Sequence, residues 1–323
     1  MSGPIRASPA TVADYERLFV NRGAYTLQSL RPSFDSGHHY YFRPKAKGTG
    51  QELILTARTV RRHLEGELTI GLYAINPATQ RSKWVAIDAD YAGAMEDLLK
   101  LQYFLQRDQV HAALEMSRRG GHLWILMEKP ALARDCRIYI YDLALRLGLR
   151  IKGFGLGEGI EVFPKHDELR PGEFGNAIRG PLGIHRGANR RYWFCGADYD
   201  LQKQIDYLKR LPKLSEEQLR RSIAGKVMPP EFTRNRSTAQ QARPFIHSSG
   251  REFRMLDHVR KVRIVGRNYV TQCPSCAEAG RDRNGDNLAI SVDDPRKYLC
   301  WAGCSREMIR RAVGCPIPAR QSA

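Results

Sequence analysis

The feature that most constrains this chain is a short apolar stretch that ends in two closely spaced aspartates. Residues Trp84–Tyr91 read Trp-Val-Ala-Ile-Asp-Ala-Asp-Tyr, and the first four favour a buried β-strand. Side chains along a strand alternate between its two faces, so Asp88 and Asp90 point the same way. Two adjacent carboxylates resist burial unless a cation lies between them, and oxygen ligands suit Mg2+ or Mn2+. The alternative is a strand that ends in a polar turn, with both aspartates in solvent.

Charge and length narrow the class of protein further. The 323 residues carry a formal net charge of +18, which favours a polyanionic partner, with nucleic acid ahead of a membrane surface. Hydrophobic residues make up 42% of the chain, enough for a sizeable core in two domains or in one domain with an appendage. Residues 1–20 contain no run typical of a signal peptide, and no segment is long enough to span a bilayer. We therefore expect a cytoplasmic protein without a membrane partner.

The middle of the chain predicts strands and helices in a regular order. A turn at Asn76-Pro77 predicts that the strand before it forms a hairpin with the Asp88 strand, and Ser117–Gly121 is the turn of a second hairpin. A helix follows each hairpin, which favours an α+β fold with helices packed on one face of a sheet. The predicted strands are Thr69–Ile75, the Asp88 strand, Ala112–Met116 and His122–Met127, and the helices are Thr11–Val20, a helix from Thr56 to Leu64, Ala94–Arg107 and Ala133–Leu147.

Further polar side chains lie at strand ends or beside glycine-rich loops. Each of them alone is ambiguous, since a lone histidine at the start of a strand is more often structural than catalytic. Together, three carboxylates, a histidine and several cations suit metal-dependent phosphoryl transfer from a nucleoside triphosphate. In that chemistry carboxylates hold two cations, and basic residues hold the triphosphate. The set consists of Asp88, Asp90, Glu161, Lys165, His185, Arg186 and His122, the last preceded by Gly120 and Gly121.

Four motifs in this order resemble the archaeo-eukaryotic primase superfamily, and most closely its bacterial and mobile-element primase-polymerases of the conflict-system and CRISPR-associated kind. The resemblance covers roughly residues 15–215, and several motifs in order are more specific than any one of them. The motifs are Val-Ala-Ile-Asp88-Ala-Asp90, then Gly-Gly-His122-Leu-Trp, then Ile-Glu161-Val-Phe-Pro-Lys165, and finally Gly175-Asn-Ala-Ile-Arg-Gly-Pro-Leu-Gly183-Ile-His185-Arg186.

The resemblance implies a role for each motif. It implies that Asp88 and Asp90 bind the catalytic metals, with Glu161 as the third ligand where the superfamily more often has Asp. Asp167 is the fallback third ligand if Glu161 points into the core. The Gly120-Gly121-His122 motif would contact the phosphates of the incoming nucleotide, and Lys165, His185 and Arg186 would bind its triphosphate. The implied fold is a primase α/β unit fused to an RRM-like sheet.

Two pairs of cysteines near the C-terminus are a second signal. Cys273 and Cys276 form one pair and Cys300 and Cys304 the other, with 23 residues between the pairs. This spacing predicts two knuckles that hold one structural Zn2+, and it resembles the zinc ribbons of bacterial and phage primases. The alternative is four buried thiols. Residues 253–323 hold 13 Lys/Arg against 7 Asp/Glu, which suits a module that faces DNA.

The sequence therefore predicts a catalytic domain over residues 1–224, a linker over 225–252 and a zinc-ribbon nucleic-acid-binding domain over 253–323. The predicted activity is that of a DNA-dependent primase-polymerase, which makes primers on single-stranded DNA from NTPs or dNTPs with two Mg2+ or Mn2+ ions. Two alternatives stay open at this point: a gap-filling or lesion-tolerant polymerase that never primes, and a non-catalytic, zinc-containing replication initiator. The sequence shows no helicase motif, so a separate helicase or other replication or CRISPR partner is expected.

Overall fold

The structure is a computed structural model that describes residues 5–33, 38–152, 158–229, 232, 253–265, 268–280, 282 and 284–317. The chain divides into two compact units, Met1–Thr233 and Arg234–Ala323. Most of the predicted linker 225–252, from residue 233 onward, lies outside the described residues. Within the described part of the chain, no helix is both long and apolar enough to cross a membrane.

The first unit contains helices and strands in the mixed order that the sequence predicts. The helices are α1 (Pro9–Phe19), α2 (Ala57–Glu65), α3 (Ala94–Arg107), α4 (Ala133–Arg146), α5 (Leu201–Arg210) and α6 (Glu216–Ser222). The strands are β1 (Tyr25–Gln28), β2 (Tyr41–Phe42), β3 (Ile70–Tyr73), β4 (Arg81–Ala89), β5 (Ala112–Met116), β6 (Gly121–Leu132), β7 (Glu161–Phe163), β8 (Ala177–Arg179), β9 (Ile184–His185) and β10 (Arg190–Arg191).

Local capping signals explain where the early helices begin and end. The Ser8 side chain accepts a hydrogen bond from the Thr11 backbone N–H at the start of α1. Thr56 caps α2 in the same way, and Gly66 ends that helix in the left-handed conformation at φ 88°. The predicted bounds of α2 and α3 are confirmed to within a residue.

A four-stranded antiparallel sheet in the order β5-β6-β4-β7, here called the central sheet, organises the first unit. One of its faces, which includes Ile87 and Ile125, packs against α3 and α4 in one hydrophobic core. The other face carries Trp84 and Trp124, which pack in a second core together with Phe19 of α1. The predicted α+β class, with both helices on one face, is confirmed.

A second four-stranded sheet in the order β2-β1-β3-β8, here called the N-terminal sheet, contains the strand that precedes the Asp88 strand. The predicted hairpin between these two strands is wrong. The chain does reverse there, since Asn76 N–H donates to the carbonyl of Arg81 over 2.9 Å. However, β3 pairs with β1 and β8 on its two edges, while β4 pairs with β6 and β7. Neither strand has a free edge for the other.

The loop between β8 and β9 packs closely over a buried histidine of α2. The His63 Nε2 lies 3.1 Å from the carbonyl oxygen of Pro181 and 3.3 Å from the hydroxyl of Tyr15. An added Cβ at Gly183 would lie 1.9 Å from His63 Cε1, and one at Gly180 would lie 2.6 Å from the Tyr15 hydroxyl. The two glycines therefore let this loop, which leads to His185, lie directly on the core.

This packing makes Gly183→Ala an informative variant. Because the new methyl group would overlap the fully buried His63 ring, we expect the free energy of unfolding to fall by about 1–3 kcal/mol. Urea denaturation of the wild type and the variant measures the difference. Gly187→Ala is the matched control, since its Cβ would meet nothing closer than the His185 ring at 3.2 Å. Equal losses in the two variants would contradict the proposed packing.

The second unit is a small antiparallel sheet with two short helices. Its strands pair in the order β11-β12-β13-β14, here called the ribbon sheet; the first α-helix contains Cys276 of the first cysteine pair, and the second begins just after the second pair. The elements are β11 (Arg263–Val265), β12 (Asn268–Thr271), α7 (Pro274–Glu278), β13 (Leu288–Ser291), β14 (Tyr298–Cys300) and α8 (Arg306–Ala312).

Candidate active site and zinc centre

Four polar side chains form a single row across the central sheet. Asp88 of β4 pairs directly with His122 of β6 on one side and with Glu161 of β7 on the other. On the outer strand β5, Glu115 pairs directly with His122. Directly opposite residues of antiparallel strands lie on the same face, with Cβ atoms about 5 Å apart. The order across the sheet is therefore Glu115, His122, Asp88, Glu161, and these four residues are here called the polar row.

The histidine of the polar row lies between two carboxylates. Its Nδ1 is 2.8 Å from Glu115 Oε2, and its Nε2 is 3.3 Å from Asp88 Oδ1. Burial by itself lowers the pKa of His122, but the charges and hydrogen bonds of Asp88 and Glu115 outweigh it and raise that pKa to about 9. The two carboxylates therefore favour the protonated form of the ring, in which each ring nitrogen faces one carboxylate.

Glu115 lies at the β5 end of the polar row, and its side chain is 0% exposed. It accepts hydrogen bonds from the Trp124 indole over 3.1 Å and from Arg179 Nη2 over 2.8 Å, in addition to the His122 contact. Burial alone raises the pKa of Glu115, but Arg179 and His122 outweigh burial and lower that pKa to about 2. The buried carboxylate is therefore ionised and has two cationic partners.

The other acidic side chains also have basic partners. Arg119 Nε donates to Asp90 over 2.7 Å. Lys152 Nζ donates to Glu161 over 2.5 Å, and Lys165 also donates to Glu161. Burial raises the pKa of Glu161, but the two lysines outweigh burial, so the net shift is downward. The same holds for the pKa of Asp88, where His122 provides the largest opposing contribution.

One cavity brings the three predicted metal ligands together. Asp88, Asp90 and Glu161 all line it, beside Arg119 and Lys152. Their carboxylate oxygens do not converge on one point: among the described residues, only the four cysteines form a group of three or more potential ligands within 4.8 Å of one another. Oxygen donors that line one cavity beside cationic partners do suit a hard divalent ion, which would replace those cations. The fallback ligand Asp167 binds Arg137 instead.

A neighbouring cavity lies against both sheets and shares Asp88 and Asp90 with the first. The central sheet and its β5–β6 turn supply His122, Ser117 and Arg118, while the N-terminal sheet supplies residues of β1, β2 and β8. His185 of β9, which follows the loop that packs on His63, also lines this cavity. The walls thus combine acidic, cationic and aromatic groups in one place. The lining residues are Gln28, Tyr41, Asp88, Asp90, Ser117, Arg118, His122, Phe163, Ala177, Ile178, Arg179 and His185.

The remaining predicted site residues lie around the cavities. Lys165 contacts Glu161, as described above. Arg186 points back onto the fold, where its Nη2 donates to the Gly66 carbonyl over 2.8 Å and its Nε to the Thr69 hydroxyl over 3.0 Å. An added Cβ at Gly120 would lie 2.1 Å from the carbonyl oxygen of Ala89, so this glycine lets the turn before His122 pack against the end of β4. A Cβ at the next residue, Gly121, would lie 2.8 Å from the carbonyl oxygen of Glu115.

Glu115 and Arg179 are polar residues of the site that sequence reasoning missed. A signal for Glu115 was present, because the predicted Ser117–Gly121 turn fixes the hairpin register and sets Glu115 opposite His122. Arg179 lies within the fourth motif, but no local signal links it to Glu115. It lies on β8 of the other sheet and reaches Glu115 only through the tertiary fold.

The four predicted zinc ligands lie together in the second unit. Cys273 immediately precedes α7, Cys276 lies within it, Cys300 ends β14 and Cys304 lies before α8. All four are buried, and their sulfur atoms lie within 4.8 Å of one another. The Cys276 sulfur is 3.6 Å from that of Cys300 and 3.3 Å from that of Cys304. Tetrahedral Zn–S bonds of about 2.3 Å place sulfurs roughly 3.8 Å apart, so this cluster fits one Zn2+ ion.

A buried aspartate between α7 and β13 accepts hydrogen bonds from three backbone N–H groups. Asp282 Oδ2 accepts hydrogen bonds from the backbone N–H groups of Cys273 and Asn287 over 2.7 and 3.2 Å, and Oδ1 accepts one from that of Asp286 over 3.1 Å. These bonds fix the backbone at the first zinc knuckle relative to the start of β13.

Comparisons with known proteins place the chain in a family. The archaeo-eukaryotic primase domain of TOTE conflict systems matches residues 40–222, which include the whole polar row. Among solved structures, the catalytic domain of primase RepB′ in complex with initiator DNA is similar at 10% identity and a TM-score of 0.31, over 62% of this chain and 95% of that one. The polymerase domain of Mycobacterium tuberculosis Ligase D in complex with DNA is similar at 10% identity and a TM-score of 0.28, over 67% and 87%.

No curated protein matches the chain. At these TM-scores the two structural similarities add nothing to the family assignment. The assignment therefore depends on the family match. That match spans more than half of the chain. The protein belongs to the archaeo-eukaryotic primase domain family of TOTE conflict systems and is a nucleotidyltransferase.

Proposed function

We propose that the protein is a template-directed primase-polymerase that starts and extends chains on single-stranded DNA. The observation that carries this proposal is the polar row beside a cavity with cationic walls. The two carboxylates of this row that line a cavity, Asp88 and Glu161, would repel a polyanion, which is unfavourable for binding alone. The same row is suited to cations that bridge the reacting oxygens in phosphoryl transfer.

In this proposal Asp88, Asp90 and Glu161 hold two Mg2+ or Mn2+ ions. When bound, these ions neutralise charge on the triphosphate and polarise the reacting oxygens. The protein's own groups bind and orient the nucleotide. The Nε2 contact of His122 is the longer of its two ring contacts, at 3.3 Å against 2.8 Å, so its N–H is the one that a phosphate oxygen could accept in place of Asp88. Arg118, Arg179 and His185 supply further donors on the same cavity wall.

The DNA part of the proposal is supported by charge and by the second unit. The net charge of +18 favours a polyanionic template. We assign catalysis to residues 1–224 and template contact to the zinc ribbon over 253–323, with 225–252 as the linker. Lys165 and Arg186 are proposed to strengthen triphosphate binding from the edge of the site. Strand separation would fall to a partner helicase.

Synthesis on unprimed DNA tests the proposal directly. Purified protein is incubated with unprimed single-stranded DNA, with NTPs or dNTPs, and with Mg2+ or Mn2+ in turn, and the products are separated on a denaturing gel. New oligonucleotides on the unprimed template would support a primase. Extension that occurs only with an annealed primer would instead indicate a gap-filling polymerase. The absence of any product under all conditions, with the protein folded, would overturn the proposal.

A further inference from the structure

Glu115 is the member of the polar row to which the proposed function gives no role. It lies beyond His122, on the side away from the three predicted metal ligands, and solvent does not reach it. Both of its oxygens are engaged: Oε1 accepts from Arg179, and Oε2 accepts from His122 and Trp124. It therefore cannot contact a nucleotide itself.

Both charged partners of Glu115 line the cavity proposed for the triphosphate. His122 comes from β6 of the central sheet, and Arg179 comes from β8 of the N-terminal sheet. One carboxylate thus connects two hydrogen-bond donors that belong to different sheets. The Nδ1 contact at 2.8 Å orients the His122 ring and leaves Nε2 facing Asp88, which lines the same cavity.

We propose that Glu115 is a positioning residue, which holds His122 and Arg179 in the orientations that bind the triphosphate. This inference rests on the proposed function. Its physical basis is that a buried charge needs a partner of opposite sign, and removal of one partner leaves the other uncompensated. Without the Glu115 carboxylate, Arg179 would lose its counter-charge. His122 would lose the charged acceptor that fixes its ring. The two would then no longer face the cavity together.

Glu115→Gln tests the inference, because glutamine has nearly the same shape but lacks the charge. Binding of fluorescent ATP and dATP is measured with Ca2+ in place of the catalytic ion, so that no turnover occurs. Two charged hydrogen bonds are weakened, so we expect nucleotide affinity to fall about 10- to 100-fold. The KM for nucleotide should rise by more than kcat falls. Binding of an oligothymidylate should stay unchanged, since Glu115 is fully buried.

The matched control is Asp14→Asn. Asp14 is another buried carboxylate of the first unit, 5% exposed, and it also has two cationic partners, Arg17 and Lys209. Thermal unfolding of both variants measures the structural cost of removing a buried charge. Loss of nucleotide affinity in Glu115→Gln but not in Asp14→Asn, at similar melting temperatures, would support a positioning role. Unchanged affinity in Glu115→Gln, or parallel loss in both variants, would overturn it.

Nucleotide binding by the wild-type protein distinguishes failure of this inference from failure of the proposed function. If wild-type protein binds neither nucleotide, the proposed function fails before any variant is considered. If it binds both and Glu115→Gln binds them equally well, only the positioning role is wrong.

Discussion

Replacement of both Asp88 and Asp90 by alanine should abolish nucleotide incorporation, with a loss of about a thousandfold or more. The two carboxylates line the cavity with Glu161, and Asp88 also lies at the centre of the polar row. Without them a divalent ion would keep a single carboxylate ligand of the proposed three. The measurement is incorporation of labelled nucleotide on a primed template, alongside single-stranded DNA binding, which should be largely retained.

The control for this experiment removes two acidic charges elsewhere in the first unit. Asp206 and Glu217 contact Gln202 and Arg221 through exposed hydrogen bonds of α5 and α6. The double alanine variant at these positions raises the net charge by the same amount, and it should retain incorporation. If the Asp88 and Asp90 variant still makes products at the control rate, these aspartates do not hold the catalytic metals.

Replacement of Cys273 and Cys276 by serine should remove zinc from the protein and unfold the second unit. Among the described residues of that unit, the buried core has ten hydrophobic members, of which four are the predicted zinc ligands. Such a small core cannot stabilise a fold without its metal. Zinc content by elemental analysis should fall from about one ion per chain to none, in keeping with a single four-cysteine site. Limited proteolysis should then cut the second unit first.

The same variant should impair initiation more than extension, because the ribbon is proposed to contact the template start site. The ratio of new primers on unprimed DNA to extension of an annealed primer measures this. Cys195→Ser with Cys315→Ser is the control, since neither sulfur belongs to the four-cysteine group. Equal loss of initiation and extension would make the ribbon merely structural.

Local signals in the sequence predicted the secondary structure well. The cap at Thr56 acts within one helical turn, so it can be read without the fold, whereas α1 begins at Pro9, two residues before the predicted Thr11. The zinc ligands could also be predicted, because the spacing of two short cysteine pairs is itself typical of a zinc site. The α5 helix likewise begins at Leu201 directly after a local signal, the Asp200 side chain that caps it.

Such local signals could not predict which distant strands and side chains pair with one another. The turn at Asn76 is real, yet nothing near it reveals that β3 and β4 join different sheets. The resemblance implies that Arg186 binds the triphosphate, but only the fold reveals that its guanidinium also donates to Gly66 and Thr69. The partnership of Glu115 with Arg179 joins residues 64 positions apart in the chain and becomes visible only in three dimensions.

The polar row draws one residue from each strand of the central sheet, and Glu161 of β7 is the last of them in the chain. A ribosome-bound chain that stops before residue 161 would contain the aspartate pair and the histidine hairpin but would lack the third acid. Pairings between distant segments also form late, because closing long loops costs entropy. Activity that depends on the proposed metal ligands would therefore require β7, and the proposed triphosphate cavity would in addition require Arg179 of β8 and His185 of β9, which follow later in the chain.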